Sequence, residues 1–218
     1  MEKRVVILLG PPGAGKGTQA TRLSAALSLP HVSTGDLFRE NKAKGTALGT
    51  KAQEYMDSGK LVPDELVLDM LFDRIGRADC AKGCLLDGFP RTLPQAEALA
   101  ARLSGAETRA LNLRVPDAKL VDRLTGRRTC RACGNIHHIS HSPSKVEGKC
   151  DKCGGELHIR TDDALETVTK RLAVYREQTL PLEGWYRSRG LLSEVDGDRN
   201  TDQVFRDLER AASAAGVS

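Results

Sequence analysis

Lys16 stands in a run from Gly10 to Thr18, GPPGAGKGT, whose residue types and spacing suit the holding of phosphate. Glycines at 10, 13, 15 and 17 clear away side chains, so successive backbone N–H groups can turn toward one anion. Lys16 adds a mobile cation. The run matches G-x-x-x-x-G-K-S/T through Lys16, but Gly17 comes next and the hydroxyl falls one residue later, at Thr18. A second constellation is Cys130-x-x-Cys133 and Cys150-x-x-Cys153, sixteen residues apart, each pair followed by glycine. Four thiolates so spaced close a tetrahedral site with no open position, the pattern of structural Zn²⁺ rather than of a catalytic metal. In a reducing compartment such pairs read as metal ligands and not as disulfides. The complete cysteine set leaves His137, His138 and His141 as loop or ligand-contact residues. Cys80 and Cys84 are expected to be small buried fillers near a strand.

Asp87 follows Leu85 and Leu86 at a strand end, where a carboxylate can hold Mg²⁺ through its water shell; a helix cap is the alternative. Arg39 and Arg91 each bring a rigid donor fork near the same place, so a second anion, and hence two phosphorylated ligands, is expected. Arg123, Arg127, Arg160 and Arg171 bracket the cysteine segment. From Lys119 to Arg160 nine Lys/Arg stand against four Asp/Glu, a formal +5 that falls only to +3 with four thiolates and one Zn²⁺. A basic zinc ribbon can grip the phosphates of nucleic acid. The arginines here cluster at the ends of the segment without interleaved aromatics, an arrangement that suits a polyphosphate transition state better than a duplex.

The elements that must position these groups can be read from periodicity. Val5–Leu9 is an apolar strand, and Lys16 to about Leu29 a helix with Ala20, Leu23 and Leu27 on one face. A short strand ends at Ser33, and Ser33, Thr34 and Asp36 can cap the next helix. Glycines 45, 49 and 59 break Asp36–Ser58 into short helices, an excursion from the core. Pro63-Asp64-Glu65 starts a helix with Leu66 and Met70 on its apolar face. Cys84–Asp87 is a buried strand. Pro94–Leu103 is a helix with Ala96, Leu99, Ala100 and Leu103 inward. Ala110–Val115 is a strand, and Asp117 caps a helix through Leu124 that Gly126 ends. From Gly126 to about Asp163 periodicity stops, and a separate small module is expected. Thr161-Asp162-Asp163 caps a long helix with Leu165, Val168, Leu172 and Tyr175 in one stripe. Leu191–Val195 is the last strand, and Asn200–Gln203 resembles a capping box. Five apolar runs separated by helices predict an α/β fold: a five-stranded parallel sheet with helices on both faces. No internal repeat or low-complexity linker interrupts it.

Composition narrows the function classes. A net charge of +4 is too mild to mark a nucleic-acid binder by itself. No run approaches the roughly 20 apolar residues of a membrane span. Met-Glu-Lys-Arg leads straight into a strand with no room for a signal peptide, so a cytoplasmic protein is expected.

The motifs GPPGAGKGTQ, STGDLFRE, GKLVPDE, DGFPRTLPQAE, GRR, VEGKCDKCGGEL and RTDD occur in an order that resembles the adenylate kinase family, in its long form with a zinc-bearing lid. The resemblance runs from near the N-terminus to the last strand. The Gly17-Thr18 ending also resembles nucleoside monophosphate kinases, where a glycine separates the loop lysine from the threonine. The resemblance implies a P-loop NTPase-type core over 1–32, 63–125 and 164–218, an AMP-binding segment at 33–62 and a zinc-binding lid at 126–163. It assigns Gly13, Ala14, Gly15, Lys16, Gly17 and Thr18 to ATP phosphates, with Thr18 and Asp87 toward Mg²⁺. Thr34, Arg39, Lys60, Leu61, Val62, Gly88, Phe89, Pro90, Arg91 and Gln95 would line the AMP pocket. Arg127, Arg160 and Arg171 would surround the moving phosphoryl group, with Arg160 and Arg171 also reaching AMP, and Lys16 and Arg91 would share the catalytic work. Arg123, Ile136, His137 and Arg199 fall at further ATP contacts. The implied reaction is phosphoryl transfer from MgATP to AMP giving two ADP, by a monomer acting on small nucleotides without nucleic acid or membrane. A kinase for another nucleoside monophosphate and a zinc-ribbon nucleic-acid-binding ATPase are the alternatives.

Overall fold

The computed structural model describes residues 3–214. Strand β1 (Arg4–Leu9) leads through the glycine loop into α1 (Lys16–Leu27). Next come β2 (His31–Ser33), α2 (Thr34–Ala43), α3 (Ala47–Asp57), α4 (Asp64–Ile75), β3 (Gly83–Asp87), α5 (Leu93–Arg102), β4 (Glu107–Arg114) and α6 (Asp117–Thr125). A small segment with β5 (Arg127–Cys130), β6 (Ile136–His138) and β7 (Leu157–His158) precedes α7 (Leu165–Val174), α8 (Pro181–Arg187), β8 (Leu192–Asp196) and α9 (Thr201–Ser213).

The main sheet is parallel throughout, in the order β2-β3-β1-β4-β8. Side chains of β1 alternate between two cores: Val5, Ile7 and Leu9 face α4, α5 and α8, whereas Val6 and Leu8 face α1, α6, α7 and α9. A strand buried on both faces has no polar side to show, which is why β1 reads as an unbroken apolar run. Leu8 pairs with Asp87 and Ser33 pairs with Asp87 from the other side, so three strands deliver their carboxyl ends to one edge, beside the glycine loop. Helices α2 and α3 form a tight hairpin capped by Ser33 and Thr46, whose hydroxyls accept from the Asp36 and Gly49 N–H groups at 3.2 and 3.0 Å. Gly49 is required there, because a Cβ would stand 2.2 Å from the Lys42 nitrogen. Among the described residues, no helix is long and apolar enough to cross a membrane.

Several local expectations need correction. The stretch after Gly126 has regular structure after all, a three-stranded antiparallel sheet in the order β6-β5-β7. Its strands are two to four residues long, too short to show alternation. Asp117 is the first residue inside α6 rather than its cap, and it pairs with Arg176 at 2.6 Å. Thr161–Asp163 form a 3₁₀ turn and supply no cap to α7; Ala164 holds that position, and both aspartates turn to arginines. Leu165 is 62% exposed, leaving Val168 and Leu172 as the buried stripe. The helix then widens into a π turn over Tyr175–Thr179, closed by a Leu180 N–H to Tyr175 carbonyl bond of 2.9 Å. Pro181 has no N–H to continue the α ladder, which accounts for the break. In α4 the buried stripe is Val67, Leu71 and Ile75, with Leu66 and Met70 on its flank, and Ala100 of α5 faces solvent. Of the α9 capping box, the Asn200 half forms, to the Asp202 N–H at 2.9 Å.

Candidate active site

The glycine loop takes the shape its sequence calls for. Gly10, Gly13 and Gly15 have φ of +133°, +86° and +91°, and a Cβ on Gly10 would meet the Leu113 carbonyl at 2.6 Å. Helix α1 begins with no side-chain cap, so its first N–H groups and positive end face the loop mouth. The Ala14 N–H closes the loop onto Pro11 O at 3.1 Å, and Thr18 is exposed in the first turn. Lys16 curls back over the loop, donating from Nζ to Gly10 O at 2.6 Å and Pro11 O at 2.9 Å. Burial pushes its ammonium down to about 8; Asp87 opposes that, and Arg91, Arg171 and Arg127 add to it. Four charged residues from three separate segments therefore act electrostatically on one lysine. A Cβ on Gly17 would lie 3.6 Å from Asp87 Oδ2 and 3.9 Å from Ile136 Cδ1, so the tip of β6 reaches the loop. Asp87 also has His31 Nε2 at 3.5 Å. A carboxylate facing a phosphate loop whose helix exposes a hydroxyl in its first turn is a donor set that fits a hydrated hard cation.

The arginines are held by two aspartates. Arg127 grips Asp163 with both ends of its fork, Nε to Oδ2 at 2.8 Å and Nη2 to Oδ1. Arg171 Nη1 reaches the Asp162 carbonyl at 2.7 Å, Asp162 Oδ2 at 3.0 Å and Asp163 Oδ1 at 3.2 Å. Arg160 donates from Nε to Thr129 Oγ1 at 3.0 Å. Desolvation, then Arg39 and Arg127, bring Arg160 down to about 10, against the pull of Asp162 and Asp163. Arg171 is lowered too, by burial first. Burial would raise the Asp162 carboxyl, but Arg171, Arg127, Arg39 and Arg160 together hold it below the usual range. Like charges crowded to this degree are stabilised by an anion among them. Arg123 and Arg199 stand apart, at the turn after β8. Arg123 donates to Gly197 O at 3.1 Å and pairs with Asp198 at 3.3 Å. Arg199, 56% exposed, pairs with Asp196 and Asp207.

On the other side of the loop, Gly88 turns the chain after β3 with φ +76°. Its carbonyl accepts from Thr34 Oγ1 at 2.9 Å and Arg91 Nε at 2.7 Å. Arg91 opens onto the cleft yet is walled by protein; desolvation and then Arg171 lower its guanidinium. Arg39 pairs with Asp36. Phe89 and Val62 are buried in the core, so only their backbones are available to a ligand, while Lys60 is exposed, Leu61 is half-buried and Pro90 is buried. Gln95 is 1% exposed and lies between the Arg91 N–H and Asp64. The hairpin is pinned across the cleft: Thr161 Oγ1 donates to Asp57 Oδ1 at 2.6 Å and accepts from Gln53 Nε2 at 3.2 Å.

The cysteines gather as their spacing implies. All four sulfurs lie within 4.8 Å of one another, with Cys130–Cys153 at 3.5 Å and Cys133–Cys150 at 3.7 Å. A zinc–sulfur bond of about 2.3 Å gives a tetrahedral edge of about 3.8 Å, so the set fits that ion. Backbone N–H groups of Cys133 and Ala132 lower the Cys130 thiol. Burial opposes ionisation of Cys150, but a hydrogen bond from His137 and the N–H groups of Lys152 and Cys153 prevail and lower it. His137 is buried, held by Asn135 at 3.0 Å, and its ring serves this cluster. His138 and His141 meet Asp122 of α6, but this group is a clasp. His138 Nδ1 accepts from the Ser140 and His141 N–H groups, and its Nε2 bonds the Asp122 carbonyl at 3.1 Å, leaving no lone pair for a metal. His141 Nε2 holds Asp122 Oδ2 at 2.8 Å.

Sequence assigns Asp162, Asp163 and Asp64 only to helix starts and gives Asp198 no role, whereas all four hold side chains of the site. The one available signal was the Arg160-Thr-Asp-Asp run, in which acids adjoin an arginine already under suspicion.

A doubly covered parallel sheet, a glycine-lysine loop after β1, a carboxylate ending β3 and two facing arginine groups together define a P-loop phosphotransferase. The Adenylate kinase family model matches residues 8–191, and the chain belongs to that family. An adenylate kinase of Carboxydothermus hydrogenoformans is 52% identical over 209 residues, covering 94% of this chain and 98% of that protein. Those of Lachnospira eligens and Archaeoglobus fulgidus are 54% and 51% identical, covering 92% and 94% of this chain and 95% of each relative.

Proposed function

We propose that the protein transfers the γ-phosphoryl group of MgATP reversibly to AMP, giving two ADP. The observation that carries the reading is that the charges of Arg91, Arg127 and Arg171, from outside the loop, all bear on the Lys16 ammonium at the loop mouth. Three cations from outside the loop are more than one bound triphosphate calls for, and they suit two phosphorylated ligands brought end to end. The loop from Gly13 to Thr18 holds the donor phosphates, with Arg123, Arg199 and the backbone of Ile136 and His137 toward its nucleoside. Thr34, Arg39, Arg91, Gln95 and the Lys60–Val62 and Gly88–Pro90 backbones hold AMP.

No general base is required, because the attacking phosphate oxygen is already anionic near neutral pH. The residues' work is alignment and charge neutralisation. Lys16 follows the transferred group, and Arg127, Arg160 and Arg171 surround its equatorial oxygens. Mg²⁺, held through water by Thr18 and Asp87, supplies further neutralisation of the donor phosphates when bound. Residues 33–62 form the acceptor segment and 126–163 a lid on the core, and the lid's closure excludes water from the donor. Zn²⁺ on Cys130, Cys133, Cys150 and Cys153 stiffens a lid with too little apolar content for its own core. A cytoplasmic monomer suffices for this chemistry. ADP formation from ATP, assayed with AMP, GMP, CMP, UMP or nucleic acid in turn, tests the reading. Dependence on AMP is the expected result, and hydrolysis stimulated by nucleic acid overturns it.

A further inference from the structure

Asp64 is the first residue of α4, preceded by Pro63, and the helix has no side-chain cap. Acids in a first turn usually serve the helix dipole, and Glu65 next door does so. Both oxygens of Asp64 are committed elsewhere: Oδ1 accepts from Gln95 Nε2 at 2.6 Å and Oδ2 from Thr92 Oγ1 at 2.9 Å. The other end of the Gln95 amide, Oε1, accepts from the Arg91 N–H at 2.8 Å. We propose that Asp64 is a positioning residue that sets purine choice at the acceptor site, by locking which end of the Gln95 amide meets which edge of the base. This rests on the reading above that Gln95 borders the AMP base.

A glutamine amide has two N–H donors and two acceptor lone pairs. Asp64 takes one donor and Arg91 one lone pair, so one N–H and one lone pair remain, at ends of the amide that the two bonds fix. Reversing the amide would set Oε1 against a carboxylate and Nε2 against an N–H, losing both bonds inside a buried site. The remaining pair complements an edge with an amine beside an unprotonated ring nitrogen, which is adenine's 6-amino group and N1. A 6-oxo purine offers a carbonyl and N1–H, both reversed, and would leave buried polar groups unpaired.

IMP is the discriminating probe, since its base differs from that of AMP at this edge alone. Asp64→Asn is isosteric, removes the charge and can pair with either end of the amide. Its ratio of kcat/KM for AMP to that for IMP is expected to fall about tenfold or more, the size of one lost charge-assisted bond. The change should lie mainly in KM for the monophosphate, with KM for ATP within about twofold. Asp64→Ser should move the ratio the same way if Asp64→Asn fails to fold. A parallel loss on both substrates with an unchanged ratio overturns the lock. Gln95→Met separates the two claims. If it collapses the ratio and the Asp64 variants do not, the lock is wrong and the acceptor pocket stands. If it leaves the ratio alone, the acceptor reading itself fails.

Discussion

Asp163→Asn is the substitution that most directly probes how the arginines are held. The carboxylate is wholly buried, at 0% exposure, and carries two guanidiniums, Arg127 through both oxygens and Arg171 through Oδ1. Each such pair, with charge centres about 4 Å apart, is worth about 4 kcal/mol at an effective dielectric of 20, before desolvation is subtracted. Removing one member of a buried pair leaves an uncompensated charge and costs about 3–5 kcal/mol. Asparagine keeps the shape and one acceptor, and Asp162 still serves Arg171, so the lower end, about 3 kcal/mol, applies here. For a chain of this length that lowers the melting temperature by about 6–12 °C. Calorimetry without nucleotide checks this, and because the pair is buried the loss should persist at 0.5 M salt. ATP should stabilise the variant more than the parent, since its phosphates supply the missing anion. A melting temperature within about 1 °C of the parent would refute the claim that Asp163 organises the arginines.

Lys16→Met should abolish ADP formation, and its stability should carry a pH signature. The Lys16 pKa is about 8 in the folded protein against an ordinary 10.5, so the unfolded chain binds more protons between those values and parent stability rises with pH there. Denaturant titrations should find the methionine variant more stable at pH 7, with the gap closing toward pH 10; a gap that widens would contradict the burial of the ammonium. Arg91→Ala should also abolish transfer while the melting temperature holds within a few degrees; near-normal turnover would remove Arg91 from the acceptor site. Cys130→Ser should lower metal content and melting temperature together, and chelation should do the same to the parent. Metal-free protein that melts identically with and without chelator would rule out the four-sulfur site.

What the sequence disclosed depended on how far apart the cooperating residues lie. The glycine loop and the cysteine pairs are contiguous, so spacing alone carried their chemistry. The parallel sheet was legible because β1, β3 and β4 are buried on both faces. Strands β5–β7 were not, since two to four residues cannot show a period. The grip of Asp163 on Arg127 spans thirty-six positions, and an Asp-Asp run ahead of a helix looks like an ordinary cap. Asp64 was hidden for the same reason, its partners lying about thirty residues away at the start of α5. The place of His138 is not legible locally, because nothing near it in sequence reveals that Gly126 must make way for its ring, which lies 2.2 Å from where a Cβ would stand.

The hydroxyl of Thr161 touches Asp57 and Gln53 at once, joining the end of the α2–α3 hairpin to the turn that leads from the cysteine segment. On the reading in which both segments close over bound nucleotides, the shared contact ties their two equilibria together. Whichever nucleotide arrives first meets part of the ordering cost of the second, so each ligand should raise the affinity for the other by the same factor. A single threonine would thereby make the enzyme's readiness for one substrate a measure of the presence of the other.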